Sequence, residues 1–146
     1  MKFQKKLAVT ALFAALAAAS VVAQAQTVRI ANQGDALSMD PHSLNESLQL
    51  SVTSNVYEPL VGRNKDLSLA PALATSWKQI APTVWRFELR KGVQFHDGTP
   101  FTADDVVFSF ARMKGDGSDM KATNSDIKQV RKIDDHTVEI DTVAPQ

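Results

Sequence analysis

The chain has 146 residues, no cysteine, and 16 basic against 16 acidic side chains. Lacking cysteine, it has no disulfide framework, no thiolate zinc site and no cysteine nucleophile, and its zero formal charge argues against a nucleic-acid binder, which needs a basic patch. A 44% hydrophobic, 22% charged composition at one-domain length excludes a disordered or fibrous chain.

Lys2, Lys5 and Lys6 precede an apolar run, Leu7 to Val22, which ends at Ala23-Gln24-Ala25. A positive start, a hydrophobic middle and an Ala-x-Ala site describe a secretory signal peptide over residues 1–25, cut after Ala25. The alternative is a membrane anchor, but a span asks for roughly 20 apolar residues and this run offers about 16. Without cysteine there is no site for a lipid anchor. Removing the three lysines leaves 13 basic against 16 acidic residues, so the exported chain is net negative.

Thr27-Val28-Arg29-Ile30-Ala31 reads as a short strand, followed by turn residues Asn32 to Asp35. Asp40-Pro41-His42 makes a second bend, since a residue before proline avoids the helical region. Leu44 to Tyr57 places Leu48, Val52, Val56 and Tyr57 near one helical face, with Ser43 or Asn45 as cap. Glu58-Pro59 ends that helix. Val61-Gly62 is a strand end running into the polar turn Arg63 to Asp66, and Leu69 to Leu73, holding Pro71, is too short for more than a helical turn.

Ser76 to Ile80 forms a hairpin with the strand of Trp85 through Ala81-Pro82-Thr83. Trp85, Phe87 and Leu89 alternate with Arg86, Glu88 and Arg90, the period of a strand with one buried face. Lys91-Gly92 interrupts the run, Val93 and Phe95 resume it extended, and Asp97-Gly98-Thr99-Pro100 turns the chain. Thr102 then caps a helix whose first turn holds Asp104 and Asp105, where the dipole is positive; Thr102-x-x-Asp105 is a variant capping box. Ala103, Val106, Val107, Phe110 and Ala111 recur at helical spacing. Trp85, Phe87, Leu89, Phe95, Val107 and Phe110 are the expected buried cluster. After the polar loop Gly115 to Ser118, Ile127–Ile133 and Thr137–Thr142 flank Asp134-Asp135-His136 as a second hairpin. The fold class is mixed α/β, an α+β arrangement of strands and hairpins packed by short helices.

His42, His96 and His136 each stand beside or near an aspartate, yet all three occupy turn contexts, and none has a second histidine at metal-ligand spacing. Neither Gly-x-Ser-x-Gly nor His-Glu-x-x-His occurs. They read as solvated turn histidines; no catalytic residue, metal site or cofactor is expected. Arg86 and Arg90 share a face with Glu88, which is either a stripe for a ligand carboxylate or the wet side of a sheet.

The run Trp85 to Ser109, WRFELRKGVQFHDGTPFTADDVVFS, resembles the extracytoplasmic solute-binding proteins of family 5, which serve peptide and nickel ABC transporters. Leu69 to Trp77 and Tyr57 to Val61 resemble the same family in the same order. The resemblance implies the N-terminal portion of a two-lobed type II periplasmic-binding-protein fold. Residues 26–62 would begin the large lobe and residues 63–146 would form part of the small β-rich domain, with the second lobe absent and the chain truncated. It implies a monomeric, periplasmic, non-enzymatic protein that captures a di- or oligopeptide and delivers it to permease subunits. Nickel or another solute, and a secreted hydrolase fragment, are the alternatives. It implies Asp35, Ala36 and Leu37, and Ser54, Asn55 and Tyr57, as cleft residues. Read from the residues alone, the first three are a surface loop and Tyr57 a packing residue with a satisfied hydroxyl.

Overall fold

The computed structural model describes residues 27, 29 and 31–146. The signal segment 1–25 lies outside the described residues, and so do Val28 and Ile30 of the expected first strand. From Gly34 onward the chain forms one compact unit. Its elements are α1 (Ser47–Thr53), β1 (Val61–Arg63), β2 (Leu69–Pro71), β3 (Ala74–Ala81), β4 (Val84–Leu89), α2 (Ala103–Met113), β5 (Ile127–Asp134) and β6 (Thr137–Thr142).

β1 and β2 pair antiparallel with Gly62 opposite Ala70, so Leu69 to Pro71 is a strand rather than the helical turn expected of it. Its partner is created by the intervening turn. Asp66 Oδ1 accepts the Ser68 amide at 3.1 Å and its hydroxyl at 2.6 Å, and Arg63 Nη1 donates to the Leu67 carbonyl at 2.9 Å. Pro71 is tolerated because a two-stranded sheet is all edge.

The main sheet is antiparallel in the order β3-β4-β6-β5. The β3–β4 hairpin forms as expected, with Trp77 opposite Phe87 and Gln79 opposite Trp85. The β5–β6 hairpin also forms, with Val130 opposite Ile140. The two hairpins are joined through β4 and β6, where Phe87 faces Val138.

Between β4 and α2 the chain is extended but makes only an isolated bridge, Gln94 to Pro100, instead of a continued strand. Gly92 and Gly98 both take positive φ, +72° and +86°, which a β-carbon would strain. The Asp97 carboxylate accepts the Thr99 amide at 2.9 Å and the Thr99 hydroxyl at 2.7 Å, closing the turn that delivers Thr102 to the helix start. There the Thr102 amide donates to Asp105 Oδ2 at 2.7 Å, the reciprocal half of the capping box.

The core is Leu89, Phe101, Ala103, Val106 and Val138, with Leu60, Leu73, Phe87, Val93, Phe110 and Val130 packed around it. Three members of the expected cluster are corrected. Trp85 is half-buried and stands outside the core group, on the part of β4 that pairs with Gln79 and Ile140. Val106, one residue before Val107, points most directly inward, and Phe95 is 46% exposed because the chain there has left the sheet. α1 is shorter than expected, and its buried residues are Gln49 and Thr53 rather than the apolar stripe. Its N-cap is Glu46, not Ser43 or Asn45.

Candidate functional site

The motifs at Tyr57–Val61, Leu69–Trp77 and Leu89–Gly92 converge in space. Arg90 makes a two-pronged pair with Glu58 at 2.8 and 2.7 Å, its amide donates to the Leu73 carbonyl at 2.7 Å, and the Ala74 amide donates to the Leu60 carbonyl at 2.8 Å. Arg86 is likewise committed, donating to Glu139 at 3.0 and 2.6 Å across β4 and β6. Glu139 is 5% exposed and also receives Arg131 at 2.9 Å. The basic stripe is therefore satisfied within the fold, and a buried carboxylate so paired avoids the cost of an isolated charge.

Beside these contacts lies a groove of about 610 Å³ between the Asp40 bend, Tyr57 and α2. One wall is apolar: Met39, Tyr57, Phe95 and Phe108 line it, and each keeps 45% or more of its surface in water. Phe95 is held in place edge-to-face on the buried Phe101, with ring centres 6.1 Å apart. The opposite end is polar, formed by Asp40, His42, Asp105, Ser109 and Arg112. A second recess of about 630 Å³, at the β5–β6 turn, is lined mainly by Glu88, Lys91, Asp134, Asp135 and His136 and lacks an apolar wall. A concave site that mixes apolar surface with a few convergent polar groups is the better ligand candidate.

The polar end is organised by Arg112. Its two terminal nitrogens hold the two oxygens of Asp40, and Nη1 lies 2.8 Å from His42 Nδ1. Asp40 also accepts the His42 amide at 2.9 Å, and together these bonds hold its carboxyl far below the usual carboxylate range. His42 is only 8% exposed, and burial, followed by the Arg112 charge, lowers its pKa from the ordinary 6.5. The reading of His42 as a solvated turn residue is thus corrected. A proline-bounded bend has folded it under α2. His96 is exposed as expected, and His136 is half-buried with its Nδ1 enclosed and unpartnered among the described residues.

Ser109 and His42 line the same groove, but no hydrogen bond links them among the described residues. Asp40 faces the guanidinium rather than the imidazole, so the carboxylate that would raise the basicity of a relay histidine is spent elsewhere. Of the six residues expected in a cleft, Tyr57 alone reaches the groove, its hydroxyl donating to the Met39 carbonyl at 2.9 Å. Asp35 Oδ1 accepts the Ala36 amide at 2.8 Å, and Leu37 is 80% exposed on the same loop. Ser54 and Asn55 donate back into their own helix, to Ser51 at 2.9 and 2.8 Å. Asp40, His42 and Arg112 were missed as a group. Asp40-Pro41-His42 advertises a bend, while Arg112 lies 72 residues away from Asp40 and carries no local sign of its partner.

Residues 68–146 match the family model described as bacterial extracellular solute-binding proteins, family 5 middle. The chain belongs to this family. Among its relatives, the family 5 protein OppA of Escherichia coli, a periplasmic oligopeptide-binding protein, is 35% identical over 70% of this chain and 19% of its own length. The glutathione-binding protein GsiB of Pectobacterium atrosepticum is 32% identical over 99% of this chain and 29% of its own length. NikZ from Campylobacter jejuni, solved in complex with Ni(L-His), superimposes with a TM-score of 0.68 at 28% identity, over 77% of this chain and 23% of its own. The chain thus spans less than a third of the length of these family 5 proteins, and its mixed α/β architecture is that of the type II periplasmic binding proteins. Family 5 members are binding proteins for transport rather than enzymes. No helix among the described residues is long and apolar enough to cross a membrane.

Proposed function

We propose that this chain contributes to the substrate-binding component of an ABC importer, and that the captured solute is a di- or oligopeptide. The observation that carries the solute class is the pairing of family membership with two relatives named for peptide cargo, oligopeptide and glutathione. In this reading residues 1–25 direct export to the periplasm. Residues 26–62 belong to the large lobe, residues 63–146 belong to the smaller β-rich domain, and the partner is a membrane permease. The groove wall of Tyr57, Phe95 and Phe108 suits apolar peptide side chains, since aromatic rings offer large contact area with few torsions to freeze. The family resemblance also proposes Asp35, Ala36, Leu37, Ser54 and Asn55 as ligand contacts, although none of them lines this groove.

The NikZ likeness favours a second reading, a metal chelate as cargo. Both are tested by thermal melting of the full chain with di- and tripeptides, glutathione, and nickel with histidine. A ligand that binds only the native state at about 100 times its Kd stabilises by about 2.7 kcal/mol, a shift of several degrees. A shift with peptides alone supports the first reading and a shift with nickel and histidine alone supports the second. Hydrolysis of an ester or amide substrate, abolished in His42→Ala, would overturn both.

A further inference from the structure

The bend from Ser38 to Ser43 forms one lip of the groove, and a set of polar contacts fastens it to the rest of the fold. Arg112 grips Asp40 and His42, the Asp119 amide donates to the His42 carbonyl at 3.0 Å, and the Tyr57 hydroxyl donates to the Met39 carbonyl at 2.9 Å. Within the bend, the Asp40 amide donates to Ser38 Oγ at 3.0 Å and Ser43 Oγ donates to the Asp40 carbonyl at 2.9 Å.

The contact between Arg112 and His42 constrains the protonation state of the ring. A guanidinium only donates, and it stays charged at every pH a protein survives. Nδ1 of His42, 2.8 Å from Nη1, must therefore supply the lone pair, and the ring is the neutral tautomer with its proton on Nε2. A second proton would set an N–H against an N–H at that distance, with two positive charges in contact. Asp40 is the one neighbour that opposes this, and both of its oxygens already belong to Arg112. The other charged or titratable groups facing the site do not compensate. Asp105 is tied to the Thr102 amide, the Tyr57 hydroxyl is occupied with the Met39 carbonyl, and Asp119 meets His42 through its backbone.

We propose that His42 is an acid-sensitive latch: neutral, it fastens the Ser38–Ser43 bend to α2, and protonated, it releases that bend and opens the groove. Burial and the Arg112 charge place the transition below pH 6.5, so the latch is shut at neutral pH and opens on acidification.

The test compares the full chain with His42→Asn, whose Oδ1 stands where Nδ1 stood and accepts from Arg112 without titrating. Amide hydrogen exchange of Met39, Asp40, His42 and Ser43, corrected for intrinsic rate, is followed from about pH 7.5 to about pH 5, alongside an NMR titration of the His42 ring. The expected result is a ring titrating below 6.5 and protection of the bend falling between 6.5 and the ring's own titration point, by up to about tenfold per pH unit, then levelling. Protection in His42→Asn is expected to stay level. A ring titrating at or above 6.5 with the bend unmoved would overturn the proposal, as would the same loss of protection in both proteins. The wild-type titration decides the matter even if the variant fails to fold.

Discussion

Where α2 meets the main sheet, the side chains removed from water are Leu89, Phe101, Ala103, Val106 and Val138. In the segment from Gly34 to Leu60 they are His42, Gln49 and Thr53. The first region is held by burial, which is non-directional and almost blind to pH and salt. The second is held by hydrogen bonds and ion pairs, which are modest in net energy, depend on geometry and leave a penalty wherever one is missing. Gln49 shows the penalty directly: its amide donates to the Ser38 carbonyl, yet its Oε1 is enclosed without a partner among the described residues. One chain therefore carries a rigid scaffold and a conditional rim, and the candidate groove lies where they meet.

The largest effect should come from the scaffold. Leu89 is 3% exposed at the end of β4, against Phe101 and Val106, so Leu89→Ala removes transfer energy and leaves a cavity, costing about 2–5 kcal/mol. Denaturant unfolding should show the loss as a lower midpoint, equal at neutral and mildly acid pH. A loss that varied strongly with pH would break the distinction between the two regions.

Next is the rim under acid. Arg112 holds the Asp40 carboxyl well below its ordinary 3.8, so the unfolded chain takes up a proton the native chain refuses. Asp40's contribution is therefore complete above 3.8 and disappears as pH falls through the lower folded value. His42 acts in the same direction from a higher starting point. Its folded pKa is depressed below 6.5, so its contribution is present above that value and declines beneath it. Asp40→Asn should be less stable than wild type at neutral pH by less than Leu89→Ala, since both members of the pair are partly in water. The gap should narrow with added salt and close as pH falls below 3.8. Melting curves across pH and salt check each point, and a gap that persisted in acid would mean Asp40 acts by packing.

The same contrast explains what could be read in advance. The β3–β4 hairpin, the turn at Gly98 and α2 were legible because their signals are local: alternation from Trp85 to Leu89, a glycine at positive φ, and Thr102 with Asp105 at cap spacing. The buried face of α1 was invisible to hydrophobic periodicity because it is Gln49 and Thr53. β1 and β2 are three residues each and become strands only by pairing with one another. The β4–β6 pairing and the Arg112 to Asp40 contact join residues dozens of positions apart, and no short window holds both halves. Of the candidate groove, only Tyr57 was foreseen, through family resemblance rather than from its own residue pattern.

The smallest effect on stability should be at Phe108, which sits on the scaffold helix but belongs to the groove. It is 69% exposed while its neighbours Val106 and Phe110 turn toward the sheet, so it buries little on folding. Phe108→Ser should leave the unfolding midpoint within about 0.5 kcal/mol of wild type, as surface changes away from special features do. Ligand affinity is the opposite case, because an aromatic ring in a groove has most to gain when a ligand covers it. Titration calorimetry on the same variant, with whichever peptide shifts the melting point of the wild type, should show weakened binding at unchanged stability. Reduced stability with unchanged binding would assign Phe108 to the core after all, and would move the boundary between scaffold and rim to the far side of α2.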